Sequence, residues 1–187
     1  NVARLRVTEQ DNLLAYWKFN ENLYNSAKDE LGNYDGTLVN LVTTGTGKAW
    51  TQGKFDNAIS LGTPNGYVHL GGVPLKDEFT ISFWVRPTDI SSDGAVILSK
   101  DNIAAMKVFR IEQNATDGFL TVNFHQDGNM SIAKISSTTP VLSDDEWTHL
   151  ALVYSKDANG SLTLYADGNK SNELTGVAIS GIGLAQR

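Results

Sequence analysis

The chemistry open to this chain lies in its carboxylates, its side-chain amides, three histidines and a small set of aromatic rings, since it has no cysteine. Hydrolysis of a sugar chain with retention needs two carboxylates about 5 Å apart. On a strand, that means acids at alternate positions, so that both point to one face. No strand-like segment here carries such a pair. Asp144, Asp145 and Glu146 are contiguous, so neighbours point to opposite faces, and Glu9 and Asp11 alternate outside the recognisable core strands. A Gly-x-Ser-x-Gly nucleophile elbow does not occur. Gly45-Thr46-Gly47-Lys48-Ala49 lacks both the earlier glycine and the following hydroxyl residue of a phosphate loop. His69, His125 and His149 are far apart and show no metal-ligand spacing, so each reads as a hydrogen-bonded strand residue.

Two groups of residues remain. Asn20, Glu21, Asp29, Asn33 and Asp35 crowd one turn-rich stretch between two apolar segments. Hard oxygens in a flexible loop are what calcium requires, although Asn33 and Asp35 are also ordinary Asx-turn formers. The second group is aromatic. A sugar is held by a flat ring stacked on its C–H face, with polar groups fixing the hydroxyls. Trp84 shares the polar face of its strand with Thr80, Ser82 and Arg86; Trp50 and Tyr67 lie near loops, and Tyr34 lies on the oxygen-rich stretch. Trp84, Arg86, Tyr67, Trp50 and Tyr34 are therefore the candidate ligand contacts. Trp17 and Trp147 fall in segments that read as core.

The elements that must position these residues are strands. Asp-Gly at 35–36, 93–94, 117–118, 127–128 and 167–168, and Asn-Gly at 65–66 and 159–160, mark tight turns. All four prolines sit at the edges of apolar runs. Between the turns the period is two. Phe79, Ile81, Phe83 and Val85 take one face of a predicted strand, and Thr80, Ser82, Trp84 and Arg86 the other. Val108–Glu112, Gly118–His125 and Met130–Ile135 read as a meander; Trp147–Ser155 and Leu162–Ala166 read as a hairpin. Leu23, Ala27 and Leu31 recur at helical spacing, but the surrounding Asn, Ser and Gly favour a loop or one short turn.

Composition bounds the rest. A chain of 187 residues with 41% hydrophobic and 19% charged residues suits one globular domain with a sizeable core. The net charge of −6 and the scattered basic residues argue against nucleic acid as a partner. The longest apolar runs, Leu13–Trp17 and Leu150–Tyr154, are far too short for membrane insertion. Asn1 is not an initiator methionine, which leads us to expect a processed or excised piece. The Asn-x-Ser/Thr triplets at 114, 129, 159 and 169 all fall at predicted turns and read as turn residues.

Several stretches, in order, resemble the laminin-G-like group of the concanavalin-A-like lectin and glucanase jelly rolls. They are Leu14-Ala15-Tyr16-Trp17-Lys18-Phe19-Asn20-Glu21, then residues 29–38, then Gly53-Lys54-Phe55-Asp56-Asn57-Ala58-Ile59-Ser60-Leu61, then residues 79–87, 146–154 and 162–168. The resemblance implies an all-β, two-sheet antiparallel jelly-roll sandwich over residues 13–187. It also implies a closing strand, which is expected to be missing from a chain that ends at Arg187. Residues 1–12 are then an N-terminal extension, and Val2–Val7 is expected to add an edge strand in that gap. Calcium on the rim is implied too: Asp29, Asn33 and Asp35 match the family's loop, and Asn20 stands where an Asp is common. The family's tryptophan at the position of Trp84 usually packs structurally, and the Gln-x-His and Tyr-x-Lys motifs of its lyase relatives are not found. The function expected is a non-catalytic recognition or adhesion module of a secreted or cell-surface protein. It would bind a glycan or a cell-surface protein and be steadied by calcium. The alternatives are a glycan-active, glucanase-type enzyme or its accessory domain, or a structural or protein-adhesion domain of a larger surface appendage.

Overall fold

The computed structural model describes residues 5–9, 12–22, 24–63, 65–75, 78–91, 94–101, 107–114, 118–125 and 132–177. Two compact units divide the chain, Asn1–Val73 with Ile81–Trp84, and Pro74–Thr80 with Val85–Arg187. Both are built from strands, and every pairing with a described register is antiparallel. One turn of 3-10 helix at Asp157–Asn159 is the only helical element among the described residues.

The first unit contains β1 (Leu5–Glu9), β2 (Asn12–Trp17), β3 (Ser26–Ala27), β4 (Gly36–Val39), β5 (Trp50–Gln52), β6 (Asn57–Ile59) and β7 (Tyr67–His69), with the middle of β8 (Phe79–Val85). Its strands run in the order β8-β1-β2 in one sheet and β3-β4-β7 in another, with β5-β6 as a hairpin. Leu5 faces Trp17 across the β1–β2 pair, and a bulge interrupts the register between Val7 and Thr8. The strand expected over Val2–Val7 lies only partly within the described residues. The strand described begins at Leu5, because residues 1–4 lie outside the described residues, and it has a neighbour on each side. It therefore lies within a sheet. The position of a closing strand after residue 177 also lies outside the described residues.

The second unit contains β9 (Val96–Asp101), β10 (Lys107–Gln113), β11 (Leu120–His125), β12 (Ile132–Ser136), β13 (Thr148–Ser155), β14 (Ser161–Ala166) and β15 (Asn169–Thr175). Two layers form from them, ordered β12-β11-β10-β9 and β15-β14-β13. Period-two patterning explains both. On β13, Thr148, Leu150, Leu152 and Tyr154 are buried, while the intervening residues are half-exposed. Phe109, Ile111, Val122, Phe124 and Ile135 line the facing layer. Phe79 joins the layers, with its ring centroid 5.7 Å from that of Tyr154 and 6.4 Å from that of Phe124. Asp167-Gly168, with φ of 48° and 80°, forms the predicted two-residue turn between β14 and β15. Asp35-Gly36 is not a hairpin turn. Gly36 opens β4, where a Cβ would press on Leu70 and Val68. Asp93, Asp117 and Asp127-Gly128 lie outside the described residues.

Phe79→Ala is expected to cost about 3–5 kcal/mol in urea unfolding, since it empties a site lined by two other rings. A cost below about 1 kcal/mol would show that Phe79 does not bridge the layers.

Candidate functional site

The first unit holds most of the predicted site residues, and the Asp29 carboxylate organises the loop that carries Asn33, Tyr34 and Asp35. Its Oδ1 accepts the backbone N–H of Tyr16 (2.8 Å) and Leu31 (3.1 Å); its Oδ2 accepts those of Asn33 (3.1 Å) and Tyr34 (3.0 Å). Asp35 returns the favour to the backbone, accepting the Asp29 N–H at 2.9 Å. Burial pushes the Asp29 pKa up, but the four amide donors together outweigh it and hold the group below the ordinary aspartate value. The loop is fastened to β2 as well, because Glu30 N–H donates to the Tyr16 carbonyl (2.8 Å).

This arrangement does not fit the expected calcium site. The loop does bring Asp29, Asn33 and Asp35 together, but Asn33 participates through its backbone, and both oxygens of Asp29 already hold two N–H donors each. A cation on Asp29 would have to displace amides that the fold needs. Asn20 is turned elsewhere: its Nδ2 donates to Asp56 and its Oδ1 accepts from the Asn57 backbone, both at 3.4 Å. Among the described residues no three His, Asp or Glu side chains converge as metal ligands.

The aromatic candidates separate cleanly. Trp50 is 2% exposed, so its ring cannot meet a ligand; its Nε1–H donates to the Tyr24 carbonyl at 3.0 Å. Trp17 does the same for the other loop, donating to the Tyr34 carbonyl at 2.7 Å. Tyr34 is half-buried and contributes its backbone to that bond and to the Asp29 cluster. Trp84 is half-buried as well. The Lys54 ammonium lies 4.8 Å from its ring centroid, and Phe55 meets it edge-on at 5.9 Å. Its face is thus already occupied by a cation–π partner. In the second unit, Arg86 lies 5.6 Å from the centre of the Trp147 ring, which is half-buried and not a core residue. Arg86 therefore shields a ring of its own unit.

Tyr67 is different. At 49% exposed, it lies opposite Val39 in the β4–β7 pair, where cross-strand partners share a face. The next row outward on that face is Ser26, Thr37 and His69, aligned across β3, β4 and β7. Thr37 and His69 are exposed, while Gly36 and Leu38 of the same strands point inward and are buried. A further residue belongs here that the sequence alone did not single out. The Leu38 N–H donates to the Asn25 carbonyl at 2.8 Å, which carries the β3–β4 register one step outward. Tyr24, the residue before Asn25, is 67% exposed.

The sequence matches the family described as the Concanavalin A-like lectin/glucanases superfamily (Laminin_G_3) over residues 61–182, more than half of the chain. No curated protein sequence matches it. Two similar solved structures are informative. An S-layer domain-containing protein from Clostridium thermocellum ATCC 27405 is 26% identical with a TM-score of 0.55, the match covering 88% of this chain and 73% of that one. The binding domain of Paraclostridial Mosquitocidal Protein 1 is 18% identical with a TM-score of 0.62, a likeness of fold alone, and the match covers 99% of this chain but 42% of that one.

Two outcomes test the loop. Asp29→Asn should lower stability by about 2–4 kcal/mol, because buried N–H donors lose a charged acceptor. In the parent protein, the contribution of a depressed aspartate is complete above the unfolded value of roughly 3.9 and fades as pH falls through the lower folded value. Acid unfolding should therefore show a loss of stability below about pH 4 that Asp29→Asn lacks. The second outcome concerns calcium: stripping the protein with a chelator and restoring calcium should leave Tm unchanged, and a rise on restoring it would reinstate a cation at the rim.

Proposed function

The chain belongs to the concanavalin A-like lectin/glucanase superfamily, and we propose that it is a non-catalytic recognition module of a secreted or cell-surface protein, binding carbohydrate through the outward face of β3, β4 and β7. The observation that carries this reading is Tyr67, a half-exposed ring on a rigid strand with the hydroxyl of Thr37 and the imidazole of His69 beside it. A ring of that kind stacks on the C–H face of a sugar while neighbouring polar groups take its hydroxyls. The binding domain of the mosquitocidal protein and the S-layer domain-containing protein have comparable folds, which supports a surface-exposed, adhesive role.

Against catalysis stand the tasks that the acidic side chains already perform. Asp29 and Asp144 accept backbone N–H groups, as does Asp167 from His149. Glu78 accepts from Ser155 and the Lys156 backbone, and Glu112 is paired with Arg110 and Asn123. Carboxylates so engaged are fold anchors, not an acid and a base waiting across a cleft. A second reading, adhesion to protein, has its own observation: Val42 and Leu61, 49% and 42% exposed, are apolar groups in the first unit's loops.

Retention on a panel of immobilised polysaccharides separates the readings. The parent protein should be retained by at least one, and Tyr67→Ala should release it while leaving Tm within about 2 °C, as befits an exposed residue. Retention by none of them would sink the carbohydrate reading in favour of adhesion to protein.

A further inference from the structure

We infer that the face of β4 and β7 takes a single sugar unit bearing a methyl group, as a deoxyhexose or an N-acetylhexosamine does, with the methyl seated against Val39 beside the Tyr67 ring. The inference rests on the proposed carbohydrate reading and adds the size of the ligand and the substituent that selects it.

Register defines the patch. Tyr67 lies opposite Val39, and His69 lies opposite Thr37. Opposite residues on antiparallel strands share a face with their Cβ atoms about 5 Å apart, and the next residue on that face is about 7 Å along the strand. Four side chains therefore bound an area of roughly 5 Å by 7 Å, close to the footprint of one pyranose ring. All four reach solvent, since Tyr67, Thr37 and His69 are exposed and Val39 is half-exposed.

The patch has two unlike halves. Tyr67 and Val39 form an apolar pair; Thr37 and His69 form a polar one, with Ser26 paired to Thr37 on its other side. Past the apolar pair the surface turns polar again. Asn40 and Asn65 are both exposed there, and the Asn40 side-chain amide donates to the Asn65 carbonyl at 3.2 Å. Along the strands, then, the apolar strip is one residue pair deep. That is room for one ring face and one small substituent.

Val39 decides which substituent. A hydroxyl laid against its isopropyl group gives up water and gains no partner, which is a net cost. A methyl in the same place removes apolar surface from water and leaves nothing unpaired. A sugar that offers this methyl still keeps hydroxyls on the rest of its ring for Thr37 and His69. The fold fixes where Val39 stands: Leu38, its neighbour, is buried on the inner face, and the Leu38 N–H is held by the Asn25 carbonyl at 2.8 Å. A contact built in advance loses little freedom on binding.

The test titrates matched free sugars by ligand-observed NMR: L-fucose with L-galactose, L-rhamnose with L-mannose, and N-acetylglucosamine with glucose. The parent protein should bind the methyl-bearing member of at least one pair about tenfold more tightly than its partner. Which pair responds separates a deoxyhexose from an N-acetyl sugar. Val39→Thr keeps the branched shape but sets a hydroxyl where a methyl was, and it should cut the ratio below about twofold. Val39→Ile should keep the preference. Equal affinity within every pair, or a preference that survives Val39→Thr, would overturn the methyl reading and leave carbohydrate recognition standing. Retention on a polysaccharide without binding of any single sugar would overturn it too. Failure to bind any saccharide, free or immobilised, is the separate result that removes the carbohydrate reading itself.

Discussion

A buried carboxylate costs several kcal/mol unless hydrogen-bond donors replace its water. Asp29 is 3% exposed, and four backbone amides supply that replacement. The consequence reaches beyond one loop. Three of the donors follow Asp29 closely in sequence and one, Tyr16, comes from β2, so a single side chain both curls the 29–35 segment and fastens it to a strand. That segment leads directly into β4, the central strand of β3-β4-β7. Where β4 starts decides its register with β3 and β7, and a slip of one residue would exchange the inward and outward faces. Thr37 and Val39 would then point into the core, and Leu38 out of it. The outward placement of Thr37 and Val39 depends on that starting point.

The buried tryptophans extend the same logic. An indole brings a large apolar area into the core but also one N–H that needs an acceptor. Trp17 and Trp50 both find that acceptor in the carbonyl of a loop tyrosine, Tyr34 and Tyr24 respectively. Each ring thereby couples the packing of the interior to the position of a surface loop. In the first unit, two indole N–H bonds and one carboxylate tie the core to surface loops; the chain has no cysteine, and no helix longer than one turn occurs among the described residues.

Much of the fold was legible because strands announce themselves locally. The alternation in Thr148–Ser155 and the Asp-Gly turn at 167–168 depend on nearest neighbours, and both appear in the structure as read. Two kinds of feature were not legible. Some residues carry the right chemistry for a task that another contact has taken: Trp50 is aromatic and near a loop, yet its ring is buried, and Asp29 is an oxygen ligand by type but serves amides. The alternation in β8 also fades, since Phe83 and Val85 are only half-buried, in contrast to Phe79 and Ile81. Other features are created by pairing alone. Thr37 and His69 are separated by more than thirty positions, and their adjacency comes from the β4-β7 register, which no one-dimensional period encodes.

A shallow face of this type sets its own limits on affinity. A stacked ring contributes on the order of 1 kcal/mol beyond its buried area, and a half-exposed ring buries less area than one in a pocket. A single contact would therefore hold a sugar only weakly, near the millimolar range that corresponds to roughly 4 kcal/mol. A second contact on the same sheet would change this, because it would form without a second loss of translational freedom. The gain depends on holding the contacts at a fixed spacing, and loops free to move would give much of it back as ordering entropy. The Asp29 clamp and the Trp50 indole bond tie two such loops to the core. Residues that anchor loops in this way hold the surface without being exposed on it themselves: Asp29 and Trp50 are both buried.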